Sequence, residues 1–182
     1  DNKHDQARVI LNSYIANFKK DNKTQQVLYI GLVDSFIALR RTGVLAKTIK
    51  EMKSGFLSFK PIYIEKTEVT LGNILFKKFY KLEKSGDIKT AVMGYLSLFR
   101  YEHYPKNVRG RAAYNIAVAL SKQKDIKQSY KWLTTAYEYL DIKEKNKLVK
   151  SSLGLSENYF LQQSFNISFK ANRFLLKQYC KS

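Results

Sequence analysis

RAAYNIAVALSKQKDIKQSYKWLTTAYEYLD, running from Arg111 to Asp141, is the stretch that decides the fold. In its first half Ala113, Ile116, Ala117 and Leu120 fall at offsets 0, 3, 4 and 7. In its second half Ile126, Ser129, Tyr130, Leu133, Tyr137 and Leu140 fall at offsets 0, 3, 4, 7, 11 and 14. Either spacing lays a single stripe along one face of a helix. Between the stripes stands Lys124-Asp125-Ile126, with Asp125 placed to cap the second helix. The stretch therefore predicts two amphipathic helices, about Val108 to Lys122 and Ile126 to Leu140, joined by a tight turn.

Upstream the pattern repeats. Leu71, Ile74, Leu75, Phe79 and Leu82 predict a helix that stops at Ser85-Gly86. Asp87 caps the next, in which Ile88, Ala91, Val92, Tyr95, Leu98 and Phe99 make the inward stripe, and Pro105 closes the unit. Gly86-Asp87-Ile88-Lys89 and Lys124-Asp125-Ile126-Lys127 stand 38 residues apart. A helix–turn–helix period near this length is the signature of an α-solenoid, in which each hairpin buries its apolar face against the next.

The stretch from Gly110 to Asp141 resembles a tetratricopeptide repeat over its full length. Ala117 stands at the small position where the two helices cross, with Ile116 and Leu120 as the large apolar neighbours. Lys124-Asp125-Ile126 matches the turn, and Ser129, Leu133 and Ala136 match the second helix. It departs from the family in carrying Ala113-Tyr114 where an aromatic stands one turn before the small residue. Gly72 to Pro105 resembles a degenerate copy: Gly86, Asp87, Ala91 and Tyr95 match, while Phe79 takes the small position and Lys78 an apolar one. Residues 25–60 resemble a third, weaker copy with its turn at Gly43. The resemblance implies protein binding on a surface lined by the first helix of each hairpin. Its groove positions fall on Phe76 and Tyr80 in one unit, and on Arg111, Tyr114, Val118 and Lys122 in the next. Members that clamp a C-terminal carboxylate use Lys and Asn there; Tyr114 and Val118 stand in their place. Trp132, on a second helix, is read as an inter-helix core residue.

Outside this region the signals thin. Ala7, Leu11, Tyr14, Ile15 and Phe18 predict a helix over residues 5–18, and Leu28, Leu32, Phe36 and Leu39 a second from Thr24 to Arg41. Gly43 is read as its C-cap, Leu45 to Leu57 as a third helix, and Pro61 as a break. Lys143 to Lys150 is a solvated, helix-compatible run. Ser156 to Tyr179 supports two periods, since Leu161, Phe165, Phe169 and Arg173 fit a helix while Phe165, Ile167 and Phe169 alternate as in a strand. It is read as one long capping helix, because a repeat array must cover its last apolar face. The expected organisation is one all-α domain over 1–182, an antiparallel helix-hairpin array. Residues 1–60 supply N-terminal helices, 71–141 two hairpins, and 142–182 capping helices.

Composition agrees with helices and bounds function. Hydrophobic residues make up 45%, with only 8 Gly and 2 Pro to punctuate strands and turns. Against 15 acidic residues stand 33 basic ones, giving a net charge of +18, and 26 of the basic residues are Lys. Lys is a hydrated point charge, whereas bidentate recognition of phosphates and base edges favours Arg. The single Cys180 forms no internal disulfide and has no Cys or His cluster around it in sequence. His4 and His103 are the only histidines, and Glu65 with Glu68 reads as a solvated pair. Ser54-Gly55 and Ser85-Gly86 lack the spacing of a phosphate loop. No catalytic residue, metal ligand or cofactor site is expected. Two functions remain: a protein-interaction module that takes a partner on its repeat surface, and a Lys-rich polyanion binder for nucleic acid or an anionic envelope surface. The missing initiator Met and the lone Cys favour a bacterial envelope or secreted setting over a cytoplasmic adaptor.

Overall fold

Three aspartates start three helices in one manner. Asp87, Asp125 and Asp141 each accept a hydrogen bond from the backbone N–H three residues on, at Thr90, Gln128 and Glu144, over 3.1, 3.2 and 2.8 Å. Each satisfies one of the donors that a helix start leaves open. In the computed structural model residues 22–54, 59–102 and 104–180 are described, with isolated positions (6, 9–11 and 13) before them. Those isolated positions are helical; the rest of the helix expected over 5–18, the C-terminal end of the one expected to reach Leu57, and both histidines lie outside the described residues.

The helices run α1 (Asn22–Ala38), α2 (Thr42–Lys53), α3 (Pro61–Lys84), α4 (Ile88–Arg100), α5 (Lys106–Lys122), α6 (Ile126–Tyr139), α7 (Ile142–Leu161) and α8 (Phe165–Tyr179). The fold is all-α, with no strand among the described residues. Expected as a single domain over 1–182, the chain divides into two compact units, residues 1–75 and 76–182, with the division inside α3.

In the first unit Leu32, Val33 and Phe36 of α1, Leu45, Ile49 and Met52 of α2, and Leu71 of α3 form the buried apolar set. Glu68, expected with Glu65 to be a solvated charge, is instead buried, and Lys53 pairs with its carboxylate. Two further expectations are corrected here. Gly43 is not a C-cap: it lies in the first turn of α2, and Arg40 takes the left-handed conformation at φ 52°. Pro61 does not merely break the chain. It is the first residue of α3, where its fixed φ suits a helix and its missing N–H costs nothing.

The second unit is three hairpins, the part of α3 from Phe76 onward with α4, α5/α6 and α7/α8. Each turns through one left-handed residue, Gly86 (φ 92°), Lys124 (φ 64°) and Gln163 (φ 59°). The single capping helix expected over 156–179 is thereby corrected. It is two helices broken at Gln162-Gln163-Ser164, and the third hairpin repeats at 39 residues without the Gly-Asp signature.

Register explains how each hairpin closes. Seven residues before the left-handed position come Phe79, Ala117 and Ser156; five after it come Ala91, Ser129 and Ser168. Ser129 Oγ donates to the Ala117 carbonyl at 2.6 Å. Ser156 and Ser168 each donate to the other's carbonyl, at 3.1 and 3.0 Å. Such close backbones need small side chains. Phe79 breaks the pattern, and Gly94 accommodates it: a Cβ on Gly94 would lie 2.3 Å from the Phe79 ring.

Neighbouring hairpins stack helix on like helix. The second helices meet through Phe99 against Trp132 (5.1 Å between centroids) and Tyr137 against Phe174 (5.6 Å). Trp132 thus takes the packing role expected of it.

Candidate functional site

The first helices of the three hairpins, α3, α5 and α7, lie in a row. Two contacts set the register of α3 against α5. The Arg111 guanidinium sits over the Phe76 ring, 5.0 Å from its centroid, and seven residues further along α3 Glu83 pairs with Lys122. Glu83 is buried, and the Tyr95 hydroxyl donates to its other oxygen at 3.4 Å. Burial, reinforced by the adjacent Glu83 carboxylate, pushes the Tyr95 phenol well above its usual range. The carboxylate is therefore held between a cation on the surface and a neutral hydroxyl in the core. Between α5 and α7, Asn158 Nδ2 donates to Ser121 Oγ at 2.5 Å and Gln162 Nε2 to the Ser121 carbonyl at 3.2 Å.

The six groove residues expected from the family resemblance fall on this row, but not equivalently. Phe76 and Tyr114 are 6% exposed. Phe76 packs on Tyr95, at 6.2 Å between centroids. Burial raises the Tyr114 phenol while the Ser152 and Ser151 hydroxyls draw it down. Both rings belong to the core, because the row of helices closes over them. Val118 is half-buried against that core. Arg111, Lys122 and Tyr80 reach the surface. Tyr80 is 51% exposed, with the Lys84 ammonium 5.5 Å over its ring. Along α3 and α5 the row thus presents the exposed Tyr80 ring, with Arg111 held by Phe76 and Lys122 by Glu83.

Sequence reasoning missed two other features. A cleft of about 520 Å³ opens between the turns of the second and third hairpins, bordered by Lys124, Asp125, Lys127, Gln162, Gln163 and Ser164. The outer side of the third hairpin also carries exposed large apolar residues: Leu153 and Phe160 on α7, and Phe165, Phe169 and Leu176 on α8. The signal for the latter lay in the sequence as the 39-residue shift, hidden because that turn lacks Gly and Asp. Among the described residues no His, Cys, Asp and Glu group is placed to hold a metal ion. No helix there is long and apolar enough to cross a membrane.

Fold and surface together define an all-helical hairpin array with an aromatic and basic face. A family model described as a domain of unknown function (DUF6340) matches residues 82–162, which is under half of the chain and runs from the end of α3 to the start of the third turn. No curated protein and no solved structure matches the chain.

Proposed function

We propose that this chain is a non-enzymatic protein-interaction module that takes a partner segment on the α3/α5 face, as its resemblance to tetratricopeptide repeats implies. The observation that carries the reading is a pair of cations, each held by a neighbour, on the same two helices as the exposed Tyr80. Arg111 is stacked on Phe76 and Lys122 is paired with Glu83, so neither long side chain loses much freedom when a partner arrives. Tyr and Arg are among the residues that dominate interface hot spots. The exposed lysines, by contrast, are scattered over every helix from Lys23 to Lys177. That distribution suits a solubilising coat better than a track for a polyanion.

Tyr80→Ala and Arg111→Ala should remove a partner captured from native lysate by the unaltered chain, with the far-UV circular dichroism unchanged. Capture should survive high salt and nuclease. Retention only of nucleic acid or anionic polymer, lost on the salt wash, would establish the polyanion reading instead.

A further inference from the structure

The left-handed turn residues Lys124 and Gln163 align the second and third hairpins at a shift of 39. Under that shift Leu153, Phe160, Phe165, Phe169 and Leu176 correspond to Tyr114, Ser121, Ile126, Tyr130 and Tyr137. In the second hairpin these positions face the third. Tyr114 meets Ser151 and Ser152, Ser121 accepts from Asn158, and Tyr137 packs on Phe174 and donates to Ser152. Ile126 and Tyr130 belong to the same core. In the third hairpin all five counterparts are large, apolar and exposed, Phe169 at 68%. The face that stacks one hairpin on the next is thus continued on α7/α8, and among the described residues its five large apolar side chains are exposed.

The charge beside that face indicates what would cover it. Along α8 the line Phe165, Phe169 and Leu176 is flanked on one side by exposed Arg173, Lys177 and Lys170, and α8 contains no acidic residue; on α7 the exposed Lys150 and Glu157 stand beside Leu153 and Phe160. A second copy docking two-fold with α8 against α8 would set the three α8 cations against themselves. We infer that the outer face of α7/α8 docks an amphipathic helix of a partner protein whose apolar stripe is bordered by Asp and Glu. It would continue the stack as the first helix of a further hairpin does. This deepens the partner-binding reading by adding a second surface and the chemistry of its ligand.

Two fluorescent synthetic helices of about 18 residues test it, long enough to hold helical structure when docked. They share one leucine stripe, flanked by Glu in one and by Lys in the other. The full chain should bind the Glu peptide at least about tenfold more tightly than the Lys peptide. Phe169→Asp, an exposed position, should lose that binding with circular dichroism and melting temperature unchanged. The triple variant Lys170→Glu, Arg173→Glu, Lys177→Glu should reverse the preference. Equal affinity for both peptides, or none for either, overturns the proposal. So does a concentration-dependent dimer in sedimentation that Phe169→Asp abolishes, which would make the occupant a second copy. Binding to phosphatidylglycerol vesicles without binding to the peptide overturns it in favour of a lipid surface. Loss of the peptide through Tyr80→Ala but not through Phe169→Asp also overturns it, while leaving the α3/α5 reading intact.

Discussion

Gly94 and Phe79 show how a repeat tolerates the wrong residue at its tightest point. Ala117 and Ser156 hold the corresponding position in the other hairpins because two backbones approach closely there. Phe79 is possible only because Gly94 leaves its ring the space a Cβ would fill. Gly94→Ala should therefore destabilise the chain by about 1–3 kcal/mol, the usual cost of overpacking a filled core. The denaturant midpoint is the measurement. Adding Phe79→Leu should return part of that loss, and strict additivity of the two changes would show that they do not touch. Asp141, which caps α7, is a second residue with a legible role. The Glu144 N–H, and then the Asn107 amide, hold its carboxyl below the usual carboxylate range. A depressed pKa contributes stability above the unfolded value, and that contribution is lost as pH falls through the folded one. Asp141→Asn should therefore flatten the acid limb of stability below about pH 4, measured by thermal melts.

At the scale of elements, the hairpin turn is the recurring device, and only one of the three in the second unit uses the residue that suits it. Gly86 adopts a positive φ at no steric cost, whereas Lys124 and Gln163 bear the Cβ penalty. Lys124→Gly and Gln163→Gly should be neutral or stabilising by up to about 1 kcal/mol, and Gly86→Ala destabilising by a similar amount. If all three changes destabilised equally, the conformation of the turn would not be what sets its stability. Asp125→Ala should cost about 1 kcal/mol through loss of the cap on α6, as urea unfolding would show.

For the whole molecule, charge and buried phenols set the response to solution conditions. With a net charge of +18, self-repulsion opposes compaction. Raising sodium chloride from about 20 to about 300 mM, which shortens the screening length, should raise the melting temperature. Six tyrosines (Tyr29, Tyr63, Tyr95, Tyr114, Tyr159 and Tyr179) have their phenols pushed up, in each case mainly by burial. A raised pKa gives stability that is full below the unfolded value, about 10 for tyrosine, and is lost as pH rises toward the folded one. Unfolding should therefore set in above about pH 10, with tyrosinate absorbance and loss of helicity appearing together. Tyrosinate rising smoothly ahead of the helicity change would show the phenols to be accessible in the folded state.

The sequence alone determined that this protein is helical and where four of its hairpin helices, α3 to α6, pair. Stripes at helical spacing and the two Asp-capped turns at 87 and 125 are local signals, because capping and amphipathicity act within one or two turns of chain. Tertiary structure alone decided the third hairpin, since Gln163 enters the left-handed region only when the packing of Ser156 on Ser168 requires the chain to reverse. It likewise moved Phe76 and Tyr114 from the expected surface into the core, and left Phe165, Phe169 and Leu176 open to solvent. Periodicity shows that a residue lies on the apolar stripe of its own helix. Whether that stripe meets another helix depends on how many hairpins stack upon it, and no local pattern records that number.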